Sequence, residues 1–597
     1  MTACAGPGST RFLVRSPRAT AVWLCLFDDT GESRVAMTRD GDDWTVVLPG
    51  DFAGARYGFR ADGAWDPAGG QWFDPAKLLV DPHAIELDRP FGQAPALAQF
   101  GVDTAHLVPR AVVPGALPVV PPAPPVFIPG GLIYEVNVRG LTLRHPDVPE
   151  PQRGTVAALA HPAVIAHLHK LGVGAVELMP IVAWIDERHL PPLGLSNAWG
   201  YNPVVPMALD PRLCPGGVAE LAATVAALRA AGIGVILDLV FNHTGESDAH
   251  GGVLALRGLD NAAYAHAGDG TLINDTGCGN TLDFANPALR SLVLDALRHF
   301  VRHAGVDGFR FDLATILARG PGFDADAPIF AEIAADPLLC DRILIAEPWD
   351  IGPGGYQLGR FPEAWLEWND RWRDDVRRFW RGDAGIGLLA TRIAGSADVF
   401  GQGPCRSVNF LAAHDGFTLA DTLAYDARHN HANGEDNRDG HGENFSWNNG
   451  AEGPSDDPAI GARRDCLARA MLATLFASVG TIMLTAGDEF GRSQAGNNNA
   501  YAQDNALTWI DWATRDVALE DHVARLSAWR ARHHPARVQF PEDGQWLTLS
   551  GQAMTAPDWH NREAFVWTAP DGAGFIVDRG ATRVSLVMPT ETPTPAE

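Results

Sequence analysis

Seven apolar runs, most of which end in polar residues, constrain the fold of this 597-residue chain more than any other feature. Uninterrupted apolar runs are typical of strands that are buried on both faces in a parallel sheet. Amphipathic helices are predicted between them at 217–232 and 287–305, and a weaker strand near Trp365–Trp368 brings the strands to eight. Eight strands that alternate with helices predict an α/β fold, the (β/α)8 TIM barrel. The seven clear strands are predicted at LIYEVNV (132–138), GAVELMPI (174–181), GVILDLVF (234–241), DGFRFDLA (307–314), RILIAEPW (342–349), SVNFLAAHD (407–415) and TIMLTAGDE (481–489).

A Pro-rich stretch, PGALPVVPPAPPVFIP (114–129), separates this pattern from a different texture before it. Its seven prolines remove backbone donors and favour an extended, semi-rigid connector. The preceding part has short apolar runs separated by Asp/Gly turns, which predict a small β-sandwich. A last helix is predicted at 518–536, followed by a short β-rich tail. We therefore predict an N-terminal β-sandwich (1–125), a catalytic barrel (126–537) and a short C-terminal β domain (538–597).

Composition excludes some classes of partner. A formal net charge of −26 disfavours binding to nucleic acid, which needs a basic surface, and suits a neutral substrate such as a polysaccharide. No apolar run approaches the roughly 20 residues that span a bilayer, and we interpret the apolar run 21–27 as a strand and not as a signal peptide. The seven cysteines are scattered without a C-x-x-C pair, which predicts reduced thiols in the cytoplasm and neither disulfides nor a zinc site.

Polar residues at the carboxyl ends of the predicted strands indicate the chemistry, because this end of a TIM barrel carries the active site. Residues two apart on a strand share a face, so Arg310 and Asp312 point the same way. Cleavage of a glycosidic bond needs one ionised carboxylate and one carboxylic acid. We expect Asp312 to stay ionised beside Arg310, and we expect Glu347, between ILIA and Pro348, to hold the proton.

Each motif alone has an ordinary structural interpretation. DLVFNH (238–243) could be a strand end with turn hydrogen bonds, and GFRFD (308–312) could contain a structural ion pair. Four such motifs in one order, each closing a barrel strand, favour a catalytic interpretation over a structural one. Together DLVFNH, GFRFDLA (308–314), the segment around Glu347 and FLAAHD (410–415) resemble the four conserved regions of glycoside hydrolase family 13, the α-amylase superfamily.

This resemblance implies roles for individual residues. Asp312 would be the nucleophile, Glu347 the acid/base, and Asp415 the third carboxylate, which grips sugar hydroxyls in the transition state. Asn242 falls where calcium-dependent amylases place a metal ligand, but no acidic cluster accompanies it, so we predict no metal and no cofactor. The implied substrate-binding residues are Tyr201, Asp238, His243, Arg310 and His414.

Longer segments resemble one group within this superfamily, the isoamylases and bacterial glycogen-debranching enzymes. The resemblance implies an N-terminal sandwich of the glycogen-binding type, and retaining hydrolysis of α-1,6 branch linkages in a branched α-glucan, glycogen or limit dextrin, during glycogen breakdown. Two departures are a short tail after residue 538 and a compressed segment at 203–217. The segments are 64–82, 279–301, 346–380, 427–454 and 487–512.

Alternatives remain at this stage. The same barrel could belong to a maltooligosyltrehalose trehalohydrolase, to an α-1,4-glucan hydrolase, or to a glucan-binding protein without catalysis. Trp365, Trp368, Trp372 and Trp380 are predicted to lie on a helix, as core residues more than as sugar platforms. The Asn-rich run 430–450 could be a solvated loop or a functional one. The sequence leaves open the preferred branch length, the oligomeric state, a structural calcium, and whether the N-terminal domain binds glycogen.

Overall fold

The computed structural model describes residues 3–6, 8–320, 322–533, 538–540, 543–570 and 572–587. In this part of the chain, the N-terminal strands form two four-stranded antiparallel sheets, with the orders β1-β2-β6-β5 and β10-β7-β3-β4, and a two-stranded pair β8-β9. The strands are β1 (Ala3–Gly6), β2 (Ser9–Arg15), β3 (Ala21–Asp28), β4 (Gly31–Ala36), β5 (Thr38–Asp40), β6 (Asp43–Pro49), β7 (Arg56–Asp62), β8 (Trp65–Asp66), β9 (Gln71–Trp72) and β10 (Ala111–Val112).

The two N-terminal sheets share one hydrophobic core. Alternate residues of β2, Phe12 and Val14, are buried, as are Leu24 on β3 and Phe59 on β7. The ring centroids of Phe12 and Tyr57, on opposite sheets, lie 5.3 Å apart. Sheets that bury their inner faces against each other form a sandwich, so the predicted N-terminal β-sandwich is confirmed.

The Pro-rich stretch 114–129 has neither helix nor strand and follows the surface of a neighbouring helix. Val120 donates its backbone N–H to the carbonyl of Arg302 at 2.9 Å, and His303 Nδ1 lies 2.6 Å from the carbonyl oxygen of Pro118. Prolines cannot donate, so these anchoring bonds use the non-proline N–H and the free carbonyls. These contacts hold residues 118–120 of the predicted connector against the helix.

Eight parallel strands form a closed barrel in sequence order, as predicted. Nearly every strand residue is buried, because side chains on one face fill the barrel and those on the other face the helices. The strands end earlier than the apolar runs predict, since the last residues of each run belong to the following loop or helix. The strands are β11 (Leu132–Val136), β12 (Ala175–Leu178), β13 (Gly234–Leu239), β14 (Gly308–Phe311), β15 (Ile343–Ala346), β16 (Trp365–Trp368), β17 (Ser407–Phe410) and β18 (Thr481–Thr485).

The α-helices follow the predicted pattern, and the helix predicted at 287–305 shows why. Asn286 caps its start by accepting a hydrogen bond from Ala288 N, Pro287 occupies its first turn, and Gly305 ends it with φ of 74°. The helices of the described residues are α1 (Val138–Thr142), α2 (Pro162–Leu171), α3 (Gly217–Ala230), α4 (Leu256–Leu259), α5 (Pro287–Ala304), α6 (Pro328–Ala335), α7 (Asp370–Arg381), α8 (Ile386–Ile393), α9 (Ala397–Phe400), α10 (Leu419–Thr422), α11 (Pro458–Ala477), α12 (Val517–His533) and α13 (Asp558–Asn561).

The region of the four tryptophans was predicted in two ways, as a weak strand near Trp365–Trp368, which is confirmed, and as a helix that carries all four, which is partly wrong. Trp365 and Trp368 lie on strand β16, whereas Trp372 and Trp380 lie on helix α7. All four side chains are buried, which supports their interpretation as core residues. The error arose because Asn369 separates the two elements: its side chain accepts from Trp372 N and begins the helix only after the strand has ended.

The predicted C-terminal β domain is confirmed as one antiparallel sheet with the order β19-β20-β21-β22. Its core includes the stacked rings of Trp567 and Phe575, whose centroids are 5.5 Å apart. The end predicted for the preceding helix, at 534–536, lies outside the described residues. The strands are β19 (Gln545–Leu547), β20 (Ala564–Thr568), β21 (Gly574–Asp578) and β22 (Arg583–Val587), and the short helix α13 follows β19.

Contacts within the chain define two units. The first comprises Met1–Pro125, Glu150–His161 and Leu178–Trp365; the second comprises Val126–Pro149, Pro162–Glu177 and Leu366–Glu597. Across the described residues, none of the helices combines the length and the low polarity needed to cross a bilayer.

Candidate active site

Three neighbouring barrel strands of the first unit deliver polar residues to their carboxyl ends. Asp238 is the penultimate residue of β13, Asp312 directly follows β14, and Glu347 directly follows β15. In the parallel register Asp238 pairs with Arg310, and Phe311 pairs with Ala346. Asp312 and Glu347 are therefore the next residues along two adjacent strands. Side chains two positions apart along a strand point to the same face, and paired residues on adjacent strands point the same way. The side chains of Asp238, Asp312 and Glu347 therefore converge.

The Arg310 guanidinium joins three carboxylates. Its Nη1 donates to Asp238 at 2.9 and 3.1 Å and to Asp312 Oδ1 at 3.0 Å, while Nη2 lies 3.1 Å from Glu347 Oε2. The arginine side chain is fully buried. Burial alone lowers the pKa of Arg310, but the charges of Asp238, Glu347, Tyr201 and Asp312 raise it well above its ordinary value. Arg310 therefore carries a permanent positive charge.

The backbone after Asp312 serves the neighbouring carboxylate. Leu313 has φ of 39°, in the left-handed region that a leucine rarely adopts. In this conformation its N–H donates to Glu347 Oε2 at 2.7 Å, and Ala314 N donates to the Glu347 carbonyl at 2.9 Å. The two backbone N–H groups of this unusual turn thus hold the side chain and the carbonyl of Glu347 in place. Such strain is typical of sites where geometry is functional.

Asn242 orients the other carboxylate. Its Nδ2 donates to Asp312 Oδ2 at 2.7 Å and to the Asp312 carbonyl at 2.8 Å. With Arg310 on Oδ1, both oxygens of Asp312 have a donor. Two donors on one carboxylate restrict its rotation.

Tyr201 and His243 complete the group in the first unit. Tyr201 donates its hydroxyl to Asp238 Oδ2 at 2.5 Å, and its carbonyl lies 3.0 Å from His243 Nε2. The other ring nitrogen of His243 lies 2.5 Å from Asn242 Oδ1. Burial lowers the pKa of His243 below its ordinary value. Six predicted site residues therefore lie together in this unit: Tyr201, Asp238, His243, Arg310, Asp312 and Glu347.

The two remaining predicted residues, His414 and Asp415, form a second group in the second unit. They follow β17, which ends at Phe410, so the strand predicted to run to residue 415 is too long. His414 Nδ1 lies 2.7 Å from Glu135 Oε1, a buried carboxylate on β11. Asp415 Oδ2 lies 3.0 Å from His441 Nε2.

The surroundings of Asp415 keep it ionised. Burial raises the pKa of its carboxyl group, but the hydrogen bond from His441 and the positive charges of His414 and Arg373 outweigh burial. The result is a pKa well below the ordinary value of an aspartate.

Sequence reasoning missed three contributors. Glu135 lies within the run LIYEVNV without a motif of its own, although its place inside a buried strand is unusual for a glutamate. His441 lies in the Asn-rich loop, where no pattern distinguishes it from other polar residues. The left-handed Leu313 has no sequence signal, because leucine is not a residue that indicates a positive φ.

Among the described residues, His, Cys, Asp and Glu side chains form no group of three or more that could hold a metal ion. Asn242, the position compared with a metal ligand of amylases, instead uses its amide to bind Asp312. Six cysteines in the described part of the chain are free thiols.

Comparisons with known proteins place this geometry in a family. Residues 1–84 match carbohydrate-binding module 48 (isoamylase N-terminal domain). A glycogen debranching enzyme of Serratia proteamaculans is 48% identical over 575 residues, which cover 92% of this chain and 86% of that protein. A glycogen debranching enzyme of Yersinia enterocolitica is 48% identical over 580 residues, with the same coverage. The chain belongs to the bacterial glycogen debranching enzyme family.

Membership of this family confirms the predicted superfamily group and shows that the chain is a glycoside hydrolase. The fold is also similar to solved pullulanases. One from Anoxybacillus sp. LM18-11, complexed with maltotetraose, has a TM-score of 0.73 and 23% identity, and covers 97% of this chain and 81% of its own. Another, from Bacillus acidopullulyticus, has a TM-score of 0.70 and 20% identity, and covers 96% and 70%.

Proposed function

We propose that this chain hydrolyses α-1,6 branch linkages of glycogen or its limit dextrin in the cytoplasm, during glycogen breakdown. The observation that carries the proposal is the pair Asp312 and Glu347, held on one buried guanidinium at adjacent strand ends. The 48% identity to proteins named glycogen debranching enzyme supports the choice of substrate. We also propose the three-part organisation 1–125, 126–537 and 538–597.

In the proposed mechanism, Asp312 attacks the anomeric carbon while Glu347 protonates the oxygen of the departing chain. The bond between that carbon and the oxygen breaks, and a glycosyl ester forms on Asp312. Glu347, now ionised, then takes a proton from water, and the resulting hydroxide displaces Asp312 from the sugar. Because Glu347 Oε2 already accepts from Leu313 N and faces Arg310, we assign the transferred proton to Oε1.

The register of the strands favours retention of configuration. Adjacent parallel strands lie about 4.8 Å apart, and Asp312 and Glu347 are the next residues after a paired position. This spacing suits the carboxyl separation of about 5–5.5 Å in retaining enzymes better than the wider gap of inverting ones, which must admit a water molecule. We therefore infer that Asp312 itself attacks the anomeric carbon in the first displacement.

The other residues would bind the sugar at the cleavage point. We assign stacking on its ring to Tyr201, hydrogen bonds to its hydroxyls to His243, His414 and Asp415, and orientation of the nucleophile to Arg310. Asp238 would act through the hydroxyl of Tyr201 and through Arg310, both of which it binds. A fixed array of this kind lowers the barrier because it needs no reorganisation during the reaction.

Linkage specificity must come from loops around the departing chain, since the groups above contact only one sugar. We propose that the Asn-rich loop 427–454 and the Gly-rich turn 352–359 shape the part of the site that receives the departing chain. Asp350 fixes the turn: Arg319 Nη2 and Nε bind its carboxylate at 2.5 and 2.8 Å, and Gly352 N donates to it at 2.8 Å. A rigid turn that begins five residues after Glu347 can exclude a departing chain of the wrong geometry.

The test compares glycogen phosphorylase limit dextrin with linear amylose as substrates, followed by linkage analysis of the products. We expect release of short linear maltooligosaccharides from the limit dextrin and negligible cleavage of amylose. Rapid internal cleavage of amylose, seen as a fall in chain length, would refute the debranching proposal and favour an α-1,4-glucan hydrolase.

A further inference from the structure

The His441 side chain of the Asn-rich loop contacts the third carboxylate. Its Nε2 lies 3.0 Å from Asp415 Oδ2, and both side chains are partly exposed, His441 by 50% and Asp415 by 27%. His441 lies 26 residues after Asp415 along the chain, in the same connection between β17 and α11.

A network of asparagines holds this loop against a second loop, residues 491–503. Asn430 Nδ2 donates to Asn498 Oδ1 at 2.8 Å, and Asn498 N donates back to Asn430 Oδ1 at 3.0 Å. Asn433 Nδ2 and Asn499 Nδ2 both donate to Asp439 Oδ2, at 2.7 and 2.9 Å. Asn430, Asn433 and Asn498 are fully buried. These buried hydrogen bonds hold the loop against its neighbour and fix its position.

Asn498 connects both members of the His441–Asp415 pair. Its side chain Nδ2 donates to the carbonyl of His441 at 2.9 Å, and its own carbonyl accepts from the backbone N–H of Gly416 at 2.9 Å. One asparagine therefore ties His441 to the residue that directly follows Asp415. The distance between the imidazole and the carboxylate is set by this shared anchor.

The residue before His441 is adapted to the same close approach. Gly440 has φ of 73°, and a Cβ placed there would lie 2.3 Å from Asn498 Oδ1 and 2.8 Å from Asn430 Nδ2. A larger residue would push the loop away from Asn498 and carry His441 with it. The glycine is thus required by the packing and by the backbone conformation.

We propose that His441 is a positioning residue that fixes the orientation of the Asp415 carboxylate, with Asn498 as the anchor that sets their separation. This inference rests on the proposed function, in which Asp415 grips the sugar most tightly in the transition state. A carboxylate with one fixed oxygen presents the other in a constant direction. The charged or titratable neighbours that act on Asp415 are His441, His414 and Arg373.

The test uses three variants in the full-length protein. His441→Ala removes the ring, His441→Gln retains an amide Nε2 of similar reach, and His431→Ala is a matched control in the same loop, where the residue is exposed. We expect His441→Ala to lower kcat/KM on a branched oligosaccharide about tenfold, the size of one hydrogen bond to a charged group. Most of the loss should be in kcat. His441→Gln should stay within about twofold of wild type, as should His431→Ala.

Crystal structures of the same variants separate this inference from the proposed function. In His441→Ala the Asp415 carboxylate should be displaced or take two conformers, whereas in His441→Gln it should keep its position. An unmoved Asp415 in His441→Ala overturns the inference even if the enzyme debranches as proposed. Equal losses of kcat/KM in the Ala and Gln variants also overturn it. A wild-type protein that does not cut the branched substrate refutes the proposed function, and the crystal structures then still decide the role of His441.

Discussion

A buried histidine outside the candidate site leads to a quantitative prediction about stability. His167, on helix α2, has its Nε2 2.9 Å from Glu489 Oε1 and its Nδ1 3.4 Å from Glu520 Oε1. Tyr134 also donates to Glu489 Oε1, at 2.7 Å. The histidine side chain is only 6% exposed, so water screens these interactions little. Burial lowers the pKa of His167, but the two glutamates raise it from 6.5 to about 9.

The direction of the pH effect follows from this shift. Because the folded protein binds the His167 proton more tightly than the unfolded chain, the stabilisation is complete below pH 6.5 and is lost as pH rises through about 9. At about 1.4 kcal/mol for each pKa unit, the loss amounts to about 3 kcal/mol. The hydrogen bond from His167 also lowers the pKa of Glu520 to about 2, so acid removes the same interaction below pH 4.5.

The perturbation is His167→Gln, with His169→Gln as a control on the exposed side of the same helix. Urea unfolding at pH 6 and at pH 9 gives the free energy of unfolding of each protein. We expect wild type and the control to have a higher free energy of unfolding than His167→Gln. This difference should be about 3 kcal/mol larger at pH 6 than at pH 9. A difference between wild type and His167→Gln that does not change with pH would refute the assignment of a charged His167.

Other outcomes concern catalysis. Asp312→Asn and Glu347→Gln should each lower turnover of a branched oligosaccharide by several orders of magnitude and leave the circular dichroism spectrum unchanged. The reason is that an amide neither attacks the anomeric carbon nor supplies a proton. Near-normal turnover by either variant would contradict the role of the residue that was replaced. Hydrolysis should release the α-anomer first, and proton NMR at early times would contradict retention by showing the β-anomer. Activity should survive EDTA, since the described residues contain no group of three or more His, Cys, Asp or Glu side chains that could hold a metal ion. Complete inhibition that calcium reverses would show that a metal is required.

The sequence predicted the barrel well because buried parallel strands are apolar along their whole length. All eight strands lie within the predicted runs, and their first residues were placed within one residue, since Gly and Asp mark the turns before them. The ends were placed up to five residues too late, as in the run 407–415, because functional loops continue with apolar residues after the last ladder hydrogen bond. An apolar pattern indicates which residues are buried. It does not indicate where the hydrogen bonds between neighbouring strands end.

The partners in the site were less predictable for a different reason. Asp312, Glu347 and Arg310 occur in short motifs, but the contacts that orient the second group join distant parts of the chain. Glu135 and His414 are separated by 279 residues. Whether such residues meet depends on the closure of the barrel and on loop packing, and no local period encodes it. The Asn-rich loop had the right composition, while the contact of His441 with Asp415 depends on the tertiary network around Asn498.

Charge counting explains why one cation with three carboxylates suits a double displacement. Asp238, Asp312 and Glu347 all lie within 3.1 Å of the single Arg310 guanidinium, so full ionisation would leave two uncompensated negative charges in a buried site. In the proposed mechanism, a proton on Glu347 would relieve part of this excess and make Glu347 the acid of the first step. When Asp312 becomes a neutral glycosyl ester, the excess falls by one charge, and Glu347 can stay ionised and act as the base that activates water. In the proposed mechanism, formation of the covalent bond would therefore itself convert Glu347 from acid to base, and a second cation near Asp312 would remove this coupling.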